Sequence, residues 1–377
     1  MSPPATAARL DAATPVIPQA PDGLTAAWVT QALAAGGRPD AHVVAVEMER
    51  IGEGIGVVAE LHRLRLSYAP NGGAGPATLI AKLRSSSPEI REVCAAYGMY
   101  ERETRFYQEV AGAIALRTPA HYFSAFNSAT GDFVILMEDL APAVSPDQVA
   151  GISLDELTAA IDGIATLHAR WWADPRLAEL RPVMPPVAEA PYAHVAENYR
   201  ACLPAALEGL KGRGHAGLAR IAAKVGHAIE TLLAAIAAEP LTLNHGDFRV
   251  DNLMFRQTPA GPELTVIDWQ VVMQARGPFD VGYLMGGAVP TALRRAKETA
   301  LLRRYHDKLT RSGVAGYSFD QCHRDYRRAM LFSLVYWVEG YPVIDRENQR
   351  TVALFDCWSD RLAAAADDLD LELLVEA

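Results

Sequence analysis

Asp247, Asn252 and Asp268 have the residue types and the spacing to do chemistry. They lie in His245-Gly246-Asp247-Phe248-Arg249-Val250-Asp251-Asn252 and, one turn later, in Ile267-Asp268-Trp269-Gln270. Between the two runs, Leu253-Met254-Phe255, Thr258-Pro259-Ala260-Gly261-Pro262 and Leu264-Thr265-Val266-Ile267 read as strand, tight turn and strand. A hairpin returns its two ends to one place, so the three side chains can converge across about twenty residues of sequence. A carboxylate, an amide and a second carboxylate around one point is the set that kinase-type phosphoryl transfer uses. One group accepts a hydroxyl proton and the other two hold magnesium.

The residue types follow from that chemistry. Magnesium is small and hard, and it takes one or two protein oxygens with phosphates and water around them. Asn252 offers a neutral carbonyl oxygen and Asp268 a charged one, so these two are the expected metal ligands. Asp247 is the expected base, accepting the proton of the attacking hydroxyl. Arg249, two residues on, carries a fork of donors that could reach the phosphate in transfer. A lone His-Gly-Asp or Ile-Asp-Trp says little. An Asn five residues after the Asp, followed by a hairpin that closes on a second Asp, says much more.

A nucleotide half is also legible. Gly52, Gly54 and Gly56 fall between two expected strands, where bare backbone amides can approach phosphates closely. Their placement in a hairpin suits a kinase-style phosphate cover and not a turn that opens a helix; an ordinary glycine-rich turn is the plainer alternative. Lys82 lies inside the apolar run Leu79-Ile80-Ala81-Lys82-Leu83, where its charge needs a partner. The expected role is to hold the α- and β-phosphates, with Glu101 or Glu103 of the next helix as the partner.

The elements that must position these groups come in a definite order. A short helix is expected over 24–35, strands over 43–51, 57–68 and 78–83, and one long amphipathic helix over 89–110. Strands over 122–126 and 133–137 then complete five, ending near Leu140. Beyond them the pattern is mainly helical: 153–172, begun by the Ser153/Glu156 capping pair, then 193–210, 217–238, 291–311, 319–338 and 349–368. The order predicts an α+β architecture of two lobes with the nucleotide between them. The N-lobe is a five-stranded antiparallel sheet with a helix, over 1–140 including an N-terminal extension. The C-lobe is mainly helical, over 141–377, and carries the catalytic loop and the acceptor pocket.

The run HGDFRVDNLMF…VIDWQ resembles the aminoglycoside phosphotransferase-like superfamily, relatives of the protein kinases and choline kinases. In that family His-Gly-Asp stands for the His-Arg-Asp of protein kinases. An Asp after an apolar strand stands for the first residue of Asp-Phe-Gly. The Gln after Ile-Asp-Trp and the later Gly277-Pro278-Phe279-Asp280-Val281-Gly282-Tyr283-Leu284 resemble the ecdysteroid-kinase-like branch more closely. The resemblance spans about residues 51–341 and is most specific in the catalytic loop.

The resemblance implies a protein-kinase-like fold, with ATP and Mg2+ as cofactors. It favours Glu103 as the partner of Lys82, because the family places a Glu three residues before an aromatic pair, here Phe106-Tyr107. It implies that Glu138, Asp139 and Leu140 form a linker whose main chain meets adenine. Asp280 reads as a helix-terminal acid, and the resemblance adds a role in holding the catalytic loop. His245 is expected to order that loop and His168 to pack within its helix. The acid run from Asp367 to Glu372 reads as a solvated helix end, although in aminoglycoside kinases such acids grip the cationic drug. Protein kinase activity is not expected, since no Ala-Pro-Glu segment follows Asp268.

The acceptor pocket is expected among the helices after Leu140, near Tyr192, Tyr199, Tyr336, Trp337 and Tyr341. That aromatic content suits a small alcohol of partly apolar character. An aminoglycoside or choline-type kinase with a cationic substrate is the alternative, and a catalytically silent nucleotide-binding module is a third reading.

Composition narrows the partners. A formal net charge of -10 with no dense basic run argues against nucleic acid and against anionic membranes. The four cysteines show no Cys-x-x-Cys pair, as suits reduced thiols. The N-terminus lacks the pattern of a signal peptide, and no apolar run reaches membrane-spanning length. A cytoplasmic location is therefore expected; the oligomeric state is not fixed by the sequence.

Overall fold

Side-chain alternation sets the first sheet. Leu79, Ala81 and Leu83 of one strand join an apolar core with Leu64, Leu66, Val134 and Leu136 of its neighbours, so Lys82 between them must face the other way. The computed structural model describes residues 14–52, 58–73 and 75–375, which leaves Gly54 and Gly56 outside the described residues. Five strands, β1 (Val43–Ile51), β2 (Ala59–Tyr68), β3 (Thr78–Arg84), β4 (His121–Phe126) and β5 (Phe133–Glu138), pair antiparallel in the order β1-β2-β3-β5-β4. Helix α1 (Ala26–Ala35), capped by the Thr25 hydroxyl, packs Trp28, Val29, Ala32 and Leu33 into the core on one face.

The expected helix over 89–110 is broken. It forms α2 (Pro88–Ala96), α3 (Met99–Arg105) and a single π turn over Phe106–Val110. The break falls at Gly98, whose φ of +62° no helix accommodates and which glycine adopts without a Cβ penalty. Helix α3 packs against β4 and β5, whereas α2 packs on α3 and buries only Cys94.

The chain divides into two units, residues 1–112 with 119–140, and residues 113–118 with 141–377. The second unit is built on helices. They are α4 (Leu154–Trp171), α5 (Leu177–Leu180), α6 (Val195–Leu210), α7 (Ala216–Ile236), α8 (Phe279–Gly287), α9 (Thr291–Arg311), α10 (Phe319–Gly340) and α11 (Gln349–Asp368). Both halves of the Ser153/Glu156 capping box form at α4, and Ser318 with Gln321 repeats the device at α10. Helix α10 packs against α6, α7, α8 and α11. Helix α8 is buried along its whole length, and the fully buried Gly282 lets it approach α10.

Two short sheets frame the segment that carries Asp247, Asn252 and Asp268. β6 (Thr242–Asn244) pairs with β9 (Met273–Ala275), and β7 (Leu253–Thr258) pairs with β8 (Gly261–Val266). The β7–β8 turn is shorter than the sequence suggests, since Thr258 pairs with Gly261 and leaves only Pro259 and Ala260 as the loop. No described helix is long and apolar enough to cross a membrane.

Candidate active site

The hairpin performs the convergence. Leu253 pairs with Val266 at its open end, and one step further the Ile267 N–H donates to the Asn252 carbonyl at 3.0 Å. Asn252 and Asp268 therefore flank the open end. Asn252 is buried and donates its amide nitrogen to the Asp247 backbone carbonyl (2.8 Å) and carboxylate (3.0 Å). With that nitrogen committed, the atom it presents elsewhere is its carbonyl oxygen. Asp268 adopts φ 65°, a conformation that Asp and Asn tolerate better than other side chains, and it accepts a bond from Gln270 at 3.1 Å. Arg249 reaches Asp247 (3.3 Å) and Asp251 (2.6 Å). Burial disfavours its charge, but the carboxylates of Asp247, Asp251 and Asp268 together outweigh burial and raise its pKa.

The loop that presents Asp247 is fixed from beneath. Asp280, fully buried at the start of α8, accepts the backbone N–H of His245 at 2.7 Å and of Gly246 at 2.9 Å. Its other contact is His168 Nε2, at 3.2 Å, while His168 Nδ1 meets the Tyr305 hydroxyl at 2.8 Å. His168, expected only to pack, thus belongs to the same anchor. His245 Nε2 faces the Ile267 carbonyl and its Nδ1 faces the Asp247 N–H. An acceptor at Nε2 and a donor at Nδ1 select the Nε2–H tautomer, so His245 ties Asp247 to the end of the hairpin. Gly246 sits at φ +87°, and a Cβ there would collide with the Val271 carbonyl oxygen.

Sequence reasoning gave Tyr283 no role. It lies beside Asp247, and burial first, then the Asp247 carboxylate, hold its hydroxyl protonated well above the usual tyrosine range. The available signal is its spacing: Asp280 and Tyr283 are three apart on one helix and share a face. Tyr336 of α10 donates to the Gly246 carbonyl at 3.0 Å, and Tyr192 to the Val271 carbonyl at 3.0 Å. Tyr199 and Trp337, by contrast, are buried packing residues, and the Tyr199 hydroxyl is spent on Ala222.

In the first unit, Lys82 and Glu103 form an ion pair at 2.6 Å, both nearly sequestered from solvent. Glu101 instead lies near Arg105 at the surface. Gly52 ends β1 at φ +72°. The Glu138 carboxylate accepts the Ala120 N–H, and Asp139 pairs with Arg63 at 2.8 Å, so both side chains of this segment have partners within the unit. Leu140 ends the unit. Two of the C-terminal acids are also engaged: Asp368 with Arg294 and Arg295, and Glu372 with Arg220 and Lys224.

Magnesium suits this donor set. Among the described residues no group of three or more His, Cys, Asp or Glu could hold a metal. An ion that draws most of its shell from phosphates and water needs only the oxygens of Asn252 and Asp268.

The sequence model of the ecdysteroid kinase-like family matches residues 53–313. The chain belongs to that family. No curated protein matches it. Among solved structures it is similar to a candidate aminoglycoside phosphotransferase of Ralstonia eutropha JMP134, at 17% identity and TM-score 0.55, with 90% of this chain and 98% of that one covered. It is also similar to the wild-type aminoglycoside 2'-phosphotransferase-IIIa in its GDP complex, at 13% identity, TM-score 0.51 and coverages of 90% and 96%. An ethanolamine kinase of Plasmodium vivax follows, at 12% identity, TM-score 0.50 and coverages of 85% and 81%. This member of the ecdysteroid kinase-like family has the α+β, two-lobed kinase-like fold, with an antiparallel five-stranded N-terminal sheet and a mainly helical remainder.

Proposed function

We propose that this chain is an ATP- and magnesium-dependent phosphotransferase of the cytoplasm that moves the γ-phosphate to a hydroxyl of a small, partly apolar molecule. The observation that carries the reading is the bond between Asn252 and Asp247 at the mouth of a hairpin that closes on Asp268. Asp247 takes the proton of the acceptor hydroxyl as the acceptor oxygen bonds to the γ-phosphorus and the bond to the β–γ bridging oxygen breaks, releasing ADP. Arg249, held beside Asp247, steadies the charge of the phosphate in transfer. Lys82, kept in place by Glu103, holds the α- and β-phosphates; Gly52, Gly54 and Gly56 offer backbone amides to them, and the main chain of residues 138–140 meets adenine. Bound magnesium, held by Asn252 and Asp268, would neutralise charge on the phosphates.

The neutral acceptor is favoured over a cationic one by a specific observation. Asp368 and Glu372, two of the acids near the C-terminus that could have gripped a cation, are already paired with arginine and lysine. The test is phosphate transfer from ATP to a panel that sets an ecdysteroid and simple apolar diols against kanamycin, choline and ethanolamine. Transfer to the first group supports the reading. ATP-dependent thermal stabilisation without transfer to any alcohol points instead to a silent nucleotide-binding module. Asp268→Ala should abolish the magnesium-dependent rate; a magnesium titration unchanged from the parent would remove Asp268 from the metal site.

A further inference from the structure

We propose that Glu339 is the residue of the second unit that recognises the acceptor, offering a carboxylic acid to a polar oxygen of an uncharged molecule whose hydroxyl lies at Asp247. The inference rests on the kinase reading above and names the chemistry of its acceptor side.

Helix α10 supplies the geometry. Tyr336 and Glu339 are three residues apart, so they share a face and stand about 4.5 Å apart along the axis. Tyr336 touches the catalytic loop itself, through the Gly246 carbonyl beside Asp247. Its ring lies 5.0 Å from that of Tyr283, which lies beside Asp247. Tyr192 closes the same patch through Val271. Tyr336 therefore joins the catalytic loop to the helix face that carries Glu339, and an acceptor with its hydroxyl at Asp247 would extend past Tyr336 towards that carboxyl group.

Glu339 is unusual among the acids of the chain. Oε1 is buried without a hydrogen-bond partner, and no cation pairs with the side chain among the described residues. The titratable groups facing it are Tyr199 and Cys202 on α6 and Tyr336 on its own helix, all neutral near pH 7. Burial pushes its carboxyl up to about 8, so at neutral pH it is chiefly the acid. An orphaned buried oxygen costs stability unless something completes it. In the acid form it can donate to one oxygen and accept from a hydroxyl, which suits a neutral polyol. A cationic amine would have to ionise it first.

The experiment uses the full chain with ATP and magnesium, comparing the parent with Glu339→Gln and Glu339→Ala on the same panel. Expected is transfer to a neutral alcohol, with KM raised at least about tenfold in Glu339→Ala and kcat changed far less. Glu339→Gln, a neutral isostere that both donates and accepts, should restore KM to within about threefold of the parent. The parent's KM should also rise above pH 8 as the acid ionises, and that of Glu339→Gln should not. If Glu339→Ala does not fold, the Glu339→Gln comparison and the pH profile still decide. A KM indifferent to both variants overturns the inference and leaves the kinase reading intact. So does a preference for choline or kanamycin that Glu339→Gln destroys, because the residue would then be a counter-ion. ATP-dependent stabilisation with no transfer to any of the panel overturns it too. Failure of both transfer and ATP-dependent stabilisation overturns the kinase reading itself.

Discussion

The Asp247 carboxylate accepts from the Asn252 amide and the Arg249 guanidinium, with Tyr283 beside it. None of them needs Asp247 in order to fold, because Asn252 keeps its bond to the backbone and Arg249 keeps Asp251. Asp247→Ala should therefore lower turnover by about 10²–10⁴-fold while thermal stabilisation by ATP and magnesium survives. A loss of ATP affinity as deep as the loss of rate would reassign Asp247 from base to nucleotide ligand. The grouping of Asp247, Arg249 and Asn252 was legible in the sequence because the three fall within six residues of one short loop. Tyr283 and Glu339 were not, since tyrosine and glutamate in amphipathic helices are ordinary and only packing shows what they face.

At the scale of elements, one buried carboxylate holds the loop that carries Asp247. Asp280 accepts two consecutive backbone N–H groups and a histidine from α4, so α8, α4 and the loop meet at one side chain. Asp280→Asn keeps the shape but turns one acceptor into a donor that faces an N–H. The expected cost is about 2–4 kcal/mol in denaturant unfolding, together with a fall in turnover at saturating ATP; stability equal to the parent would mean the loop is held elsewhere. The sequence showed a helix-terminal acid here, and the family resemblance suggested the loop contact. It could not show His168 as a third partner, because 112 residues separate the two. The strands and most helices were legible from periodicity and caps, with the 291–311 and 349–368 helices recovered to the residue. The break at Gly98 was not, because a hydrophobic stripe carries no mark of a change in backbone handedness. The short β6–β9 pair was missed because three residues are too few to show a period.

Across the whole molecule, two buried groups tilt the pH dependence of stability in opposite directions, one in each unit. His121, in the first unit, bonds Ser124 through Nε2 and stacks on Tyr107, and burial brings its pKa down to about 4 from a usual 6.5. Its folded pKa is depressed, so the stability it allows is present above pH 6.5 and is lost as pH falls through 4. Glu339, in the second unit, is raised from 4.5 to about 8. Its contribution is complete below pH 4.5 and is lost as pH rises through 8. Each group acts with a slope of about 1.4 kcal/mol per pH unit while it titrates in only one state. Between pH 4.5 and 6.5 the slopes oppose one another, so the two groups together leave stability nearly flat there, with a fall on the acid side from His121 and on the alkaline side from Glu339. Melting curves recorded from pH 4 to 9 check this with one variant for each arm. His121→Gln should remove the rise between pH 4 and 6.5 and leave a continuous fall from pH 4.5 to 8, and Glu339→Gln should remove that fall and leave the rise from pH 4 to 6.5. If Glu339→Gln leaves the alkaline arm as steep as in the parent, the carboxyl is already ionised at neutral pH, and the uncharged surroundings of α6 and α10 do not hold it as the acid.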